Sequence, residues 1–253
     1  MNWEIDLNCD MGEGIGNDAL IIPYVSSISI ACGGHAGNKD SIRQAIRLAK
    51  QAAVCIGAHP SYPDRENFGR NKIVIDYASL KESLINQLTL IQKIAFEENY
   101  PLVHLKPHGA LYNQAAVDIE LADLIVSISK SMDPQWSVWG LPNSALAKSC
   151  TAQSVCFIPE GFADRSYQAD GSLTPRTDSQ ALLETEEACV KQVLQLVTQK
   201  KVTTLNGEEI DCNVATICLH GDGAHALSFA KALRGEFKKR QISCQPPYGK
   251  TSS

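Results

Sequence analysis

Short apolar runs that end in polar residues recur along the whole chain. Seven of them have the length and composition of buried strands in a parallel sheet: 5–9, 28–32, 54–58, 102–105, 138–141, 155–158 and 215–219. Between these runs, apolar residues recur at helical spacing instead. The pattern therefore predicts strands and helices in alternation along the chain.

The clearest of the predicted amphipathic helices covers 79–95, where Ser79 and Glu82 have the spacing of a capping box. Two more such helices are predicted over 42–49 and 190–197. Alternation at this length favours either a closed (β/α) barrel or a doubly wound sheet. In both folds the functional side chains gather at the carboxyl ends of the strands.

Composition and charge narrow the class of protein further. No linker or low-complexity segment divides the chain, so we expect one domain over residues 1–253. A net charge of −5 offers nucleic acid or an anionic membrane little to bind. No apolar run reaches the roughly 18 residues of a spanning helix, and the first residues have no leader pattern. We expect a cytoplasmic protein without nucleic-acid or membrane partners.

Polar residues alternate at the end of the first predicted strand. Asp6, Asn8 and Asp10 are two residues apart and therefore share one face of that strand. A carboxylate that faces the inside of a parallel sheet is costly unless it has partners. We therefore expect a buried polar site here rather than a solvated loop.

Ionisable residues also follow the other strands. They are His35 after the second strand, His59 after the third, Lys106 and His108 after the fourth, Glu160 and Arg165 after the sixth, and His220 and Asp222 after the seventh. Such a set predicts acid/base chemistry on a small polar substrate, with or without a metal ion.

Lys106 has more than one possible role at this stage. A charged Lys106 suits a substrate carboxylate or an electrophilic role, whereas burial beside other cations would lower its pKa and make it a base. An ion pair with Asp6 or Asp10 is the structural alternative. The sequence alone leaves these alternatives open.

Two glycine-containing segments resemble nucleotide sites but lack the required spacing. Gly12-Glu-Gly-Ile-Gly follows a strand, yet it is not the dinucleotide fingerprint, and Asp10 and Glu13 would repel a pyrophosphate. Gly249-Lys-Thr lacks the earlier glycine of a phosphate loop, because Cys244 stands at that position. The sequence thus has no recognisable ATP site.

Six clusters, taken in order, carry a family resemblance. They are Asp6-Leu-Asn-Cys-Asp-Met-Gly-Glu-Gly, Ala31-Cys-Gly-Gly-His-Ala-Gly, Gly57-Ala-His-Pro-Ser-Tyr-Pro-Asp-Arg, Lys106-Pro-His-Gly-Ala-Leu-Tyr-Asn, Glu160-Gly-Phe-Ala-Asp-Arg and His220-Gly-Asp. Together they closely resemble the LamB/YcsF family over nearly the whole chain.

This resemblance implies a seven-stranded (β/α) barrel of the glycoside hydrolase/deacetylase type. It also implies the activity of the A component of an ATP-hydrolysing 5-oxoprolinase, which opens the lactam of 5-oxo-L-proline to give L-glutamate. The 5-oxoprolinase subunits B and C are the implied partners, and ATP handling then involves them.

For this reaction we assign catalytic roles by hypothesis to Asp6, Asp10, His35, His59, Lys106 and His108. Substrate binding falls to Asn8, Glu160, Arg165, His220 and Asp222. A divalent metal fits the chemistry, but spacing does not select its ligands. Two rival functions stay open: a stand-alone metal-dependent deacetylase or amidohydrolase, and a non-catalytic scaffold subunit.

Overall fold

The computed structural model describes residues 3–247, so Gly249-Lys-Thr lies outside the described residues. Its strands are β1 (Glu4–Met11), β2 (Ser27–Ala31), β3 (Cys55–His59), β4 (Leu102–Leu105), β5 (Ser137–Gly140), β6 (Phe157–Phe162), β7 (Lys201–Thr203), β8 (Glu209–Asp211), β9 (Thr216–Leu219) and β10 (Ser243–Cys244). Each of the seven predicted strands is present, as β1 to β6 and β9. The hairpin of β7 and β8 and the short β10 were not predicted.

The helices follow the strands in the expected alternation. They are α1 (Asp18–Ile21), α2 (Lys39–Ala52), α3 (Tyr77–Glu97), α4 (Gly109–Ala115), α5 (Ile119–Met132), α6 (Ala145–Ala152), α7 (Glu186–Gln199) and α8 (Ala226–Lys239). The three predicted amphipathic helices correspond to α2, α3 and α7. No helix in the described part of the chain is long and apolar enough to cross a membrane.

Pairing between the first and last long strands closes the sheet into a barrel. β1 pairs in parallel with β2 on one side and with β9 on the other, and Asn8 is opposite both Ser27 and Cys218. Neighbouring strands from β2 to β6 pair in sequence order, and β6 pairs with β9. The seven-stranded parallel barrel is thus confirmed, and the doubly wound sheet is excluded. β10 pairs only with Glu4 and Ile5, at the edge of β1.

The start of α3 differs from the prediction. Ser79 is not the cap: the helix begins at Tyr77, and the Asp76 side chain accepts a hydrogen bond from the Ser79 backbone N–H at 2.9 Å. The Ser79 hydroxyl also donates to Asp76, at 2.6 Å. The predicted capping box of Ser79 and Glu82 was therefore wrong. Asp76, three residues before Ser79, is the N-cap residue, and its carboxylate accepts the hydrogen bond from a backbone N–H of the first turn.

Inside the barrel the side chains are largely polar. The His104 ring stacks on Trp139 with ring centroids 3.6 Å apart, and its Nε2 lies 3.1 Å from the Ser29 hydroxyl oxygen. Gly57 leaves the space for this ring, since a Cβ there would lie only 2.1 Å from His104 Nε2. The stacked rings of His104 and Trp139 lie in the middle of the barrel. The predicted ionisable residues lie above these rings, at the carboxyl ends of the strands.

Candidate active site

A cavity of about 470 Å³ opens at the carboxyl ends of the barrel strands. Seven of the eleven sequence-predicted site residues line it: Asp10, His59, Lys106, His108, Glu160, Arg165 and His220. They come from five different strands and the loops that follow them. The structure therefore brings together most of the predicted set, at the end of the barrel where (β/α) barrels carry their sites.

Lys106 is the centre of a buried ionic cluster. Its Nζ lies 2.6 Å from Asp10 Oδ1 and 3.1 Å from Glu160 Oε1, and it donates to Asn8 Oδ1 at 2.9 Å. Burial lowers the pKa of Lys106, but the Asp10 and Glu160 carboxylates outweigh it and hold that pKa well above its ordinary value. The ammonium thus stays charged, which favours the ion-pair alternative over the base.

The Asp10 carboxylate lies between two positive or protonatable groups. Its Oδ2 is 3.3 Å from His59 Nε2, and its Oδ1 faces Lys106. Burial raises the pKa of Asp10, yet the nearby His59 imidazole and Lys106 ammonium bring it well below the usual range. An ionised carboxylate in contact with an imidazole is an arrangement that can accept a proton from water.

Two polar atoms that face the cavity have no hydrogen-bond partner among the residues described other than each other's side chain. They are Glu160 Oε2 and the Tyr112 hydroxyl, both buried. Burial and the neighbouring Glu160 charge raise the pKa of Tyr112 well above its ordinary value, so the hydroxyl keeps its proton. Because buried polar atoms are normally paired, this acceptor and this donor are available to a ligand.

Three histidines and a glutamate form a compact group beside the cavity, which we call the histidine cluster: Glu13, His35, His59 and His108. The rings of His35 and His108 stack with centroids 3.6 Å apart, and His35 Nε2 is 3.1 Å from Glu13 Oε1. Burial lowers the pKa of His35 to about 2 and that of His108 well below its ordinary value, so both rings are neutral.

Metal-ligating atoms come together in two places in the described chain. In the histidine cluster, one ligand atom from each of the four residues lies within 4.8 Å of the others. Asp10, Cys218 and His220 form a second, smaller group with the same property. Nitrogen and carboxylate donors suit zinc and similar divalent ions, so the cluster fits the expected class of metal.

Arginines give the cavity a positive wall. The buried Arg165 donates from Nη2 to the Thr174 carbonyl at 2.6 Å and from Nε to the Ala181 carbonyl at 3.2 Å, which fixes the guanidinium. Burial, with the neighbouring Arg176, lowers the pKa of Arg165 to about 10, so it remains charged at neutral pH. Arg176 also lines the cavity and is exposed. This wall suits a substrate carboxylate.

His220 is positioned by a carboxylate and an aromatic ring. Its Nδ1 lies 3.0 Å from both Asp164 carboxylate oxygens, and its ring stacks on Phe162. A carboxylate on one ring nitrogen orients the ring and leaves the other nitrogen for a ligand or a proton. Asp164, which the prediction did not select, therefore holds His220 in place.

Four predicted site residues do not line the cavity. Asp6 lies in the interior below it, where it accepts hydrogen bonds from the hydroxyls of Ser26, Ser27 and Thr216. Four residues of strand place Asp6 about 13 Å from Asp10 along the chain, which explains the separation.

The other three lie next to the cavity rather than in its wall. Asn8 donates to Glu160 Oε1 at 3.0 Å and so positions that carboxylate from below. His35 lies behind His108, and Asp222 forms an ion pair with Arg70. The structure therefore places each of these three in contact with a residue that lines the cavity.

Sequence reasoning missed five residues that the structure brings to the site: Glu13, Arg70, Tyr112, Asp164 and Arg176. Three of them, Glu13, Tyr112 and Asp164, lie inside the quoted clusters, so the clusters themselves were the available signal. Arg70 and Arg176 lie in long loops, whose path a residue pattern does not specify.

The closed barrel and its ionisable mouth define the class of protein: a seven-stranded (β/α) barrel of the deacetylase type. The catalytic domain of a peptidoglycan N-acetylglucosamine deacetylase from Eubacterium rectale shares this fold, with a TM-score of 0.55 at 13% identity over 100% of this chain and 91% of that one. The sequence pattern of the LamB/YcsF family matches residues 5–252, and the chain belongs to that family.

Another solved structure is much more similar. The lactam utilization protein from Thermus thermophilus has a TM-score of 0.89 and 32% identity, over 96% of this chain and 99% of that one. The resemblance drawn from the six clusters is thereby confirmed, and so is the barrel type.

Proposed function

We propose that this chain is the A component of an ATP-hydrolysing 5-oxoprolinase and opens the lactam of 5-oxo-L-proline to L-glutamate. One observation carries the proposal: an ionised Asp10 in contact with His59 lies in a cavity that Arg165 and Arg176 also line. The substrate has a carboxylate and an amide in one small ring, and these are the groups that such a cavity recognises. The lactam utilization protein among its relatives supports the same substrate class.

The arginine wall binds the substrate carboxylate in this proposal. Arg165 is held rigidly by two backbone carbonyls, while the exposed Arg176 adds charge at the rim. The lactam ring then lies toward the Tyr112 hydroxyl and Glu160 Oε2, which have no other partner than each other's side chain among the described residues. The hydroxyl donates to the substrate, and the carboxylate oxygen accepts the ring N–H.

An amide is stabilised by resonance, so water needs an activated carbonyl carbon. ATP supplies this activation by phosphorylating the amide oxygen, with the nucleotide handled together with subunits B and C. Asp10 and His59 take the proton from the attacking water, and the charged Lys106 stabilises negative charge that develops beside it. The C–N bond of the resulting tetrahedral intermediate then breaks, and the ring nitrogen takes a proton to become the amine of γ-glutamyl phosphate. A second water displaces inorganic phosphate from this acyl phosphate, which gives L-glutamate. A reaction that uses ATP fits a cytoplasmic location.

The histidine cluster favours one second candidate, an ATP-independent amidohydrolase or deacetylase with a divalent metal. Its donor set, three imidazoles and a carboxylate, is the kind that metal-dependent hydrolases use. This candidate differs from the first in needing neither ATP nor partner proteins.

The test is ATP-dependent release of glutamate from 5-oxo-L-proline. The purified chain alone, candidate subunits B and C alone, and all three together are compared, with and without ATP. We expect release only from the complete mixture with ATP. Release by the chain alone without ATP would support the amidohydrolase, and no release from a folded, assembled mixture would contradict both lactam-opening hypotheses.

A further inference from the structure

Thr216 connects two buried carboxylates that lie on different strands. On β9 it is opposite Asp6 of β1 on one side and Glu160 of β6 on the other. Its hydroxyl donates to Asp6 Oδ2 at 2.5 Å and accepts from Asn8 Nδ2 at 2.7 Å. The Asn8 amide also donates to Glu160 Oε1, at 3.0 Å. A continuous chain of hydrogen bonds, which we call the relay, therefore joins four residues in order: Asp6, Thr216, Asn8 and Glu160.

The hydrogens of the relay point in one direction only. A hydroxyl has a single hydrogen and an ionised carboxylate has none, so Thr216 donates to Asp6 and keeps its lone pairs for Asn8. Burial raises the pKa of Asp6 to about 6, so above that pH its carboxylate only accepts. At the other end, the Lys106 ammonium donates to Asn8 Oδ1 at 2.9 Å, which leaves the NH2 group of that amide for the relay.

All four members of the relay are buried below the cavity. Asn8, Glu160 and Thr216 have no exposed surface, and Asp6 is 1% exposed. A buried polar group that loses its partner is left unsatisfied, because no water takes the partner's place. Each member therefore depends on the next, and loss of the Thr216 hydroxyl would release the Asn8 amide from below.

The relay also determines which oxygen of Glu160 faces the cavity. Oε1 accepts from both Asn8 and Lys106, at 3.0 and 3.1 Å. Oε2 then has only the Tyr112 side chain as a partner among the described residues. In the proposed function Oε2 accepts the ring N–H of the lactam, so the hydrogen bonds on Oε1 orient the carboxylate for the substrate.

We propose that Asp6 and Thr216 are positioning residues for lactam opening. They act through the Asn8 amide, which holds the Glu160 carboxylate in the orientation that the substrate needs. Neither Asp6 nor Thr216 lines the cavity, so both act without contact with the reacting atoms. The inference rests on the proposed function. Because Glu160 Oε2 accepts the same N–H in the substrate and in the transition state, loss of the relay should raise KM more than it lowers kcat.

The experiment compares Thr216→Val, which removes the hydroxyl at nearly the same volume, with Thr216→Ser, which retains it. In the complete three-protein mixture at about pH 8, where Asp6 is ionised, Thr216→Val should raise KM for 5-oxo-L-proline about tenfold or more. Thr216→Ser should restore the original KM. A merely structural role would lower the amount of folded protein, and therefore the apparent kcat, while KM stayed the same.

Ser27→Ala is the matched control. It removes another hydroxyl that donates to Asp6, at 2.8 Å on Oδ1, and leaves the relay intact. We expect a lowered melting temperature with an unchanged KM. Circular dichroism checks the fold of each variant, and Thr216→Ala replaces Thr216→Val if the latter does not fold.

A second measurement follows the Asn8 side-chain amide in the NMR spectrum of the isotope-labelled chain, without substrate or partners. Thr216→Val should shift one of its two proton signals, and Ser27→Ala should shift neither. Unchanged Asn8 signals or an unchanged KM in Thr216→Val would overturn the proposal, and so would an equal rise of KM in Ser27→Ala. Absence of glutamate release with the original chain would instead contradict the proposed function, and the Asn8 signals would then decide on the relay alone.

Discussion

The ammonium of Lys106 lies 2.6 Å from the carboxylate of Asp10, and neither side chain is more than 5% exposed. Glu160 completes the cluster from the other side at 3.1 Å. One ammonium group therefore forms ion pairs with two buried carboxylates. The arrangement keeps Asp10 ionised next to His59. The same ion pairs therefore stabilise this end of the barrel and set the charge of the proposed catalytic carboxylate.

Removal of the Lys106 charge should destabilise the fold strongly. Lys106→Met leaves the Asp10 and Glu160 carboxylates buried without their cation, and breaking a buried pair from one side costs about 3–5 kcal/mol. Denaturant unfolding measures this loss. Lys93→Met, at an exposed position on α3, is the matched control and should change the free energy of unfolding by less than about 0.5 kcal/mol. A loss below about 1 kcal/mol for Lys106→Met would contradict the ionic cluster.

The absence of a side chain at Gly57 should be essential to the middle layer of the barrel. Gly57→Ala places a Cβ against His104, which the Trp139 stack and Ser29 hold, so we expect about 1–3 kcal/mol of destabilisation from overpacking. Gly235→Ala is the opposite case, because this helical position on α8 has open space around it. It should stabilise the protein by about 0.5–1 kcal/mol. Thermal unfolding of the two variants should therefore shift in opposite directions.

The strands were predictable because each is a short apolar run with polar residues at its end. The same alternation also placed Asp6, Asn8 and Asp10 on one face, and all three do point into the barrel. It did not show that Asp6 and Asp10 serve different layers, since that depends on how far up the barrel the substrate cavity begins. Asp6 and Asp10 share one face of β1, and what distinguishes their surroundings is the distance between them along the strand.

Loop conformation limited the rest of the prediction. The path of the segment before Arg70 depends on positive φ angles at Phe68 and Gly69, of 55° and 63°. The spacing of apolar residues does not encode such a turn. Neither the packing of Phe68 against His35 and His108 nor the ion pair of Arg70 with Asp222 was therefore predictable. Glu13 was interpreted only as a residue that repels phosphate, because its approach to His35 also depends on a glycine-rich loop.

Asp6 should make the stability of the protein fall as pH rises. Burial, opposed by three hydroxyl hydrogen bonds, raises the pKa of Asp6 from 3.8 to about 6, so the folded state binds the proton more tightly than the unfolded chain does. That contribution is present at low pH and is lost as pH rises through about 6. Relative to Asp6→Asn, the original chain should lose about 1–2 kcal/mol between about pH 5 and about pH 8. Equal pH profiles for the two proteins would show that Asp6 keeps its ordinary pKa.

Arg176 should contribute to substrate affinity and little to folding. Because it is exposed at the rim of the cavity, Arg176→Gln should leave the melting temperature unchanged and raise KM for 5-oxo-L-proline about tenfold, with a smaller effect on kcat. Arg234→Gln, on α8 and outside the cavity lining, controls for the loss of one surface charge. An unchanged KM in Arg176→Gln would remove this arginine from the carboxylate site.

The central claim is that the ionised Asp10 beside His59 is where the lactam is opened. The most direct test is ATP-dependent glutamate release by the complete mixture of the three proteins, with this chain carrying Asp10→Asn or, as the matched control, the exposed Asp211→Asn. Circular dichroism and assembly with the partners establish that both variants are intact. We predict that Asp10→Asn reduces turnover at least about a hundredfold, the low end of what a general base contributes, and that Asp211→Asn is fully active. Full turnover by a folded, assembled Asp10→Asn protein would contradict the account.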